Sequence, residues 1–162
     1  DNKTGWFRQQ HPVIKAVMER KACRVFIAAT DGLLPGGYMQ STISASVPAP
    51  EYYLEERCYI SELSNTELDP AVSVARARVI PGVTTRWHRL HAVSERYLIL
   101  EGMGRVEIGT LPPADVGPGA VVLIPPGCPQ RITNSGNEDL VFLAVCTPRF
   151  ALAAYEDLEP QS

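Results

Sequence analysis

The stretch PGVTTRWHRLHAVSERYLILEG, residues 81–102, decides how this chain is read. Five residues separate Gly82 from His88, and six separate Glu95 from Gly102. Pro81-Gly82 is a turn signal, and Gly102 with Gly104 fits a tight hairpin, so the apolar-rich run Glu95 to Leu100 between them reads as a strand. Side chains two apart on a strand share a face. Glu95, Tyr97 and Ile99 therefore point one way, and Arg96, Leu98 and Leu100 the other. A second spaced stretch, GAVVLIPPGCPQRITN at 119–134, follows at hairpin distance. In it five residues separate Gly119 from Pro125, two separate Gly127 from Gln130, and three separate Gln130 from Asn134.

Working outward, the same texture of short β-rich runs between turn residues begins at Tyr52. Strands are expected over 57–63, 72–80, 95–100, 105–108, 121–124, 130–133 and 140–146. Turns at Ser64-Asn65, Asp69-Pro70 and Gly136-Asn137 separate them. On 72–80 the alternation opposes Arg76 and Arg78 to Ala75, Ala77 and Val79. Upstream the pattern differs. Val13, Ile14, Val17 and Met18 fall on one face at helical spacing, which predicts a short amphipathic helix over 12–21. Leu34-Pro35-Gly36-Gly37 is a turn, and 41–50 is an aperiodic Ser, Ala and Pro segment. The chain is thus divided into an N-terminal arm and linker, 1–50, and an all-β domain, 51–162. A closing helical turn is expected over 149–158.

The two spaced stretches resemble the paired motifs of the cupin family. The first usually runs Gly, five residues, His, one, His, three or four, Glu, six, Gly. The second usually runs Gly, five, Pro, one, Gly, two, His, three, Asn. The likeness spans about 72–147, and it implies an all-β double-stranded β-helix, a cupin or jelly-roll barrel, here with an N-terminal helical arm. Two positions depart from it: Leu90 stands where a second histidine is usual, with His91 one place late, and Gln130 stands where a third is usual. The chain has only His11, His88 and His91, so a three-histidine site cannot be rebuilt. What the resemblance still implies is a divalent ion (Zn, Mn, Ni or Fe) held by His88, Glu95 and Gln130, with His91 joining if a bulge turns it inward. The competing expectation is that Leu90 fills the ligand place, Gln130 hydrogen-bonds Glu95 or His88, and no ion is held. In the family's phase Glu95 and Tyr97 face inward as catalytic candidates, and Ile99, Ile132, Phe142 and Cys146 line a substrate pocket. The arginines at 76 and 78 then face outward. The ligand set is similar to that of cupin-type phosphomannose isomerases, which polarise a carbonyl with the ion and move the neighbouring proton with a base. A sugar-phosphate isomerase acting on a small polar metabolite is the leading expectation. A non-catalytic small-molecule-binding cupin and an iron-dependent dioxygenase are the alternatives.

Composition narrows the classes further. At 162 residues with 45% hydrophobic and 20% charged residues, the chain suits one well-cored domain. A net charge of −3 gives no cationic footprint for nucleic acid. Cys23, Cys58, Cys128 and Cys146 are scattered without a CxxC pair, so a zinc ribbon or dithiol motif is not suggested and reduced thiols are expected. Cys128 reads as a bland loop thiol. No apolar run approaches the roughly 20 residues of a membrane span, and a cytoplasmic location is the expectation. GxSxG, P-loop and HExxH patterns are missing, which removes the support for serine hydrolase, nucleotide-triphosphate and zincin chemistry. The apolar faces of the arm need cover, and a homodimer in which the arm contributes is expected.

Overall fold

The computed structural model describes residues 41–43 and 50–159, and the compact unit Ala49–Ser162 holds every strand among them. The expected helix over 12–21 and nearly all of the arm over 1–50 lie outside the described residues. Among the described residues eleven strands run in chain order. They are β1 Tyr52–Leu54, β2 Cys58–Ser64, β3 Ser73–Val79, β4 His88–Leu90, β5 Ser94–Glu101 and β6 Gly104–Ile108, then β7 Ala114–Val116, β8 Val121–Ile124, β9 Gln130–Asn134, β10 Leu140–Thr147 and β11 Tyr155–Asp157. They form a six-stranded sheet, β1-β2-β3-β10-β5-β8, and a five-stranded sheet, β11-β4-β9-β6-β7. From β3 onward successive strands trade between the sheets, except for the β6–β7 hairpin within the five-stranded one, the arrangement of a double-stranded β-helix.

Alternation places the core between the sheets. On β3, Ala77 and Val79 are buried while the Arg76 and Arg78 guanidiniums reach Glu51 outside, and Arg78 also reaches Asp139. On β5, Tyr97 and Ile99 are buried and Leu100 is exposed. These meet Val106, Ile132, Leu140 and Phe142 in one apolar cluster. A smaller cluster of Leu90, Val93 and Cys146 sits apart, with Phe150, Ala154 and Tyr155 packed against it. Asn134 ties the second motif to the framework. Its buried amide donates to the Val79 and Glu138 carbonyls at 2.8 and 2.7 Å, and its oxygen accepts from the Gly136 N–H at 3.0 Å. That motif position is structural, since all three of the groups it satisfies are backbone groups.

The C-terminal stretch corrects one expectation. Only Leu152–Ala154 forms a helical turn, of 3-10 type, and the chain then extends as β11 along β4, pairing Tyr155 with Leu90 and Asp157 with His88. The open edge of β4 supplies hydrogen-bond partners that a local reading of 149–158 does not include. Among the described residues, no helix is long and apolar enough to cross a membrane.

Candidate functional site

His88 opens β4 and stands directly opposite Gln130, the first residue of β9, in the five-stranded sheet. Glu95 comes from β5 in the other sheet, beside Cys146 of β10 and Ile124 of β8. The side chains of His88, Glu95 and Gln130 converge between the sheets, where they are 2%, 8% and 0% exposed. The Gln130 amide N–H donates to Glu95 Oε2, and its nitrogen lies 3.3 Å from His88 Nε2. The Cys146 thiol faces Glu95 Oε1 at 3.8 Å. His88 Nδ1 donates to the Arg86 carbonyl at 2.8 Å, which leaves the Nε2 lone pair of the neutral ring aimed at the cluster. Behind His88 the Tyr155 ring stacks with centroids 5.1 Å apart.

Burial and neighbouring charge set the protonation. Burial pushes the Glu95 carboxyl from 4.5 up to about 7; the His88 charge opposes this, Glu56 adds to it, and hydrogen bonds from Gln130 and Cys146 oppose it. For His88 burial works against the charged ring, but Glu56, the Arg86 carbonyl, Glu95 and Asp157 outweigh it, and its value is raised. Tyr97 and Cys146 are both pushed up, first by burial and then by Glu95. Both are neutral donors near pH 7 rather than bases.

The other residues singled out by the sequence divide into two groups. Tyr97, Ile99, Ile132 and Phe142 are packed in the apolar cluster, with the Tyr97 and Phe142 rings 4.5 Å apart; they floor the site as core. His91 is not brought to the cluster. Its ring is on the outside, 2.5 Å from Glu156 Oε2, and its N–H donates to the Ala154 carbonyl. Leu90 shares the inward face with His88 and packs with Val93 and Cys146. A cleft of about 270 Å³ lined by Trp87, Glu107, Arg131, Leu158 and Glu159 opens on the opposite face of the five-stranded sheet, because Trp87 and Arg131 alternate with His88 and Gln130. It is no part of the cluster.

Sequence reasoning missed Glu56, whose Oε1 lies 3.4 Å from His88 Nε2. It also missed Tyr155. Glu55 and Glu56 precede the strand expected over 57–63, and nothing local marks the Glu56 carboxylate as reaching the barrel.

Among the described residues, no three His, Cys, Asp or Glu side chains stand grouped as a metal site. The donor chemistry nevertheless fits the divalent ion implied by the motif. His88 presents its Nε2 ring nitrogen and Glu95 a carboxylate, and Gln130 Oε1 is a buried acceptor with no hydrogen-bond partner. Such an orphan in a dry interior is costly. The amide must turn to offer that oxygen, since its NH₂ end now stands between Glu95 and His88.

Comparison with known proteins agrees with this architecture. The cupin domain model matches residues 75–146. An uncharacterized protein of Methanocaldococcus jannaschii is 32% identical over 110 residues, 67% of this chain and 85% of that protein. An uncharacterized conserved protein with a double-stranded β-helix domain from Klebsiella pneumoniae superposes with a TM-score of 0.57 at 18% identity, covering 67% of this chain and 90% of the other. Oxalate decarboxylase from Bacillus subtilis gives a TM-score of 0.60 at 25% identity over 68% of this chain, which spans 30% of that enzyme. Motif spacing, barrel topology and these matches together make the chain a member of the cupin superfamily.

Proposed function

We propose that the barrel is an enzyme that moves a proton on the carbon beside a carbonyl of a small polar metabolite, in the manner of an aldose–ketose isomerase. The observation that carries this is the convergence of His88, Gln130 and a buried Glu95 carboxyl whose value is about 7. A base poised near the working pH combines a useful ionised fraction with useful proton affinity. His88, Gln130 and one oxygen of Glu95 would hold a divalent ion, which supplies the charge that polarises the carbonyl. The other Glu95 oxygen would take the carbon-bound proton and return it to the adjacent carbon, while the hydroxyl proton passes from one of the two neighbouring substrate oxygens to the other. Tyr97, Ile99 and Phe142 below exclude water from the pair, which strengthens each electrostatic contact. The sugar-phosphate form expected from the sequence finds little support for its phosphate. Each arginine among the described residues already meets an acid or a side-chain oxygen, down to Arg96 on Thr147. The reading is therefore made for the hydroxy-carbonyl itself.

Two measurements test it: elemental analysis of protein purified without a metal-binding tag, and deuterium exchange from solvent into aldoses and ketoses, each offered free and phosphorylated. Near-stoichiometric ion and exchange at the carbon beside the carbonyl are expected. A chain that neither carries nor accepts Zn, Mn, Ni or Fe is not this enzyme. A second reading, a metal-free binding cupin, is favoured by the Gln130 NH₂ group already bridging Glu95 and His88. It is distinguished by ligand-induced melting shifts without exchange.

A homodimer is proposed as well. The outer face of the six-stranded sheet carries Val121 and Leu123, 66% and 60% exposed, on its edge strand. Val121 lies opposite Leu98, and Leu98 opposite Leu143, so an apolar row crosses three strands. Contiguous apolar surface of this kind marks an interface. In sedimentation velocity the protein is expected to run as a dimer, and Leu123→Asp to shift it toward monomer. A monomeric wild type at micromolar concentration would dismiss this.

A further inference from the structure

The end of the barrel that holds His88, Glu95 and Gln130 is covered by the chain's own C-terminal stretch. Tyr155 of β11 stacks on His88, and Phe150, Ala154 and Tyr155 pack over Leu90, Val93 and Cys146. Cys146 is the residue whose thiol faces Glu95. With His88 2% exposed and Gln130 0%, no molecule reaches them unless part of this cover moves.

The backbone distinguishes the part that is pinned from the part that is not. Up to Phe150 the chain is fixed near the start of β3: the Arg149 N–H donates to the Pro70 carbonyl at 3.2 Å and the Phe150 N–H to Ser73 Oγ at 2.8 Å. Ala151 is then exposed and extended. Beyond it β11 is a three-residue edge strand whose one sheet neighbour among the described residues is β4, and β4 pairs with β9 only at His88–Gln130. The β1–β2 hairpin, by contrast, is rooted along β3 from Tyr59–Arg78 to Ser64–Val74. Much of what holds β11 and the residues after it is charge. Glu156 meets Arg89 at 2.7 Å, Asp157 meets Arg86 at 2.8 Å, and Glu159 meets Arg57 at 2.7 Å. The Arg89 and Glu156 side chains are 35% and 39% exposed, so water and salt weaken their attraction. A short edge segment held in this way opens locally at a cost well below that of unfolding the barrel.

We infer that residues 151–159 form a strap over the candidate site, hinged at Ala151 and latched by Glu156, Asp157 and Glu159. It lifts from β4 to let a small molecule in, and on closing it seats Tyr155 against His88. This rests on the cluster being where a small molecule is handled, which the isomerase and binding readings share. The latch arginines sit on three different parts of the barrel end, Arg89 on β4, Arg86 just before it and Arg57 at the β1–β2 tip, so closure draws all three toward one segment. The same movement covers Cys146 and dries the His88–Glu95 pair, as closing segments do in enzymes that must exclude water.

The test combines two probes of opening on the full chain. Iodoacetamide labelling of Cys146, read by peptide mass spectrometry, reports its uncovering. Hydrogen exchange follows the His91 and Leu158 amides, which donate across the strap to the Ala154 and Trp87 carbonyls at 2.8 Å each, with the β3 amides as the measure of whole-barrel opening. Cys146 and the two strap amides are expected to be at least about 100-fold less protected than β3. NaCl at about 0.5 M, and separately the double change Glu156→Gln with Asp157→Asn, should raise both strap rates together by about three- to tenfold, with β3 unchanged. The salt arm uses wild type alone, so it stands even if the double variant folds poorly. If Cys146 and the strap amides open only at the rate of β3 and ignore salt, the strap does not lift, while the proposed chemistry is untouched. Absence of ion uptake and of deuterium exchange into substrate would remove that chemistry without altering either opening rate.

Discussion

Replacing Glu95 with Gln is expected to slow turnover severely and, at the same time, to make the ion-free protein more stable at pH 8. Both effects have one cause, a carboxylate held where water cannot solvate it. Its folded-state value lies near 7 against 4.5 for the free group, so the folded chain holds this proton more tightly than the unfolded chain. Stability from this group is therefore full below about pH 4.5 and falls as the pH rises toward 7. At 1.36 kcal/mol per unit the loss is about 3 kcal/mol. His88 acts in the same direction: its value is raised, so its contribution is present below the unfolded value and fades as pH climbs through the folded one. Glu51, Glu107, Glu156 and Glu159 are lowered and change stability only below about 4.5, outside this window. In chelator, wild-type melting is expected to drop by roughly 10 °C between pH 5 and 8, with Glu95→Gln much flatter. Loss of the proton acceptor should cost about 10² to 10⁴ in rate. A wild type whose melting point is level or rises across that range would contradict the burial of an ionised Glu95.

The residues that were legible in the sequence are those whose neighbours are local. Period-two alternation on 95–100 separated Tyr97 and Ile99, buried, from Leu100, exposed, and on 72–80 it set Ala77 inside and Arg78 outside. Motif spacing marked His88, Glu95 and Gln130, and the fold does bring their tips together. The strands that escaped notice, β1, β4, β7 and β11, have three residues each, too few for a period to show. What escaped at the site depends on pairing across the chain. Tyr155 reaches His88 only because β11 lies along β4, and Glu56 only because the β1–β2 tip is anchored on Arg86. Ile99, Ile132 and Phe142 were expected to line a pocket, and they pack as core. Facing inward is a property of alternation, whereas bordering an open cavity depends on how far the opposite sheet stands away.

Gly102→Ala should be among the most damaging single substitutions in the barrel, costing at least about 3 kcal/mol. The residue turns β5 into β6 at a φ of +78°, and a Cβ there would lie 2.5 Å from the Asp139 carbonyl oxygen and 2.9 Å from the Leu140 Cα. Both are backbone atoms at the start of β10, the strand that pairs with β3 on one side and β5 on the other. No rotamer change can relieve the clash, so the turn or the strand must move. Gly82 is the control: its φ is +75°, but nothing lies within 4 Å of its added Cβ. Its change to Ala should cost only the left-handed backbone penalty of about 1 kcal/mol. Denaturant midpoints of the two variants therefore separate steric from conformational cost at positions the motif treats alike. Because β5 and β10 stay paired from Phe142–Ile99 to Thr147–Ser94, the damage falls at the end of β5 remote from Glu95. Folded Gly102→Ala molecules should then turn over as wild type does. Equal midpoints for Gly82→Ala and Gly102→Ala would mean that β10 yields at Asp139, and that the first motif's last glycine is there for its backbone angle alone.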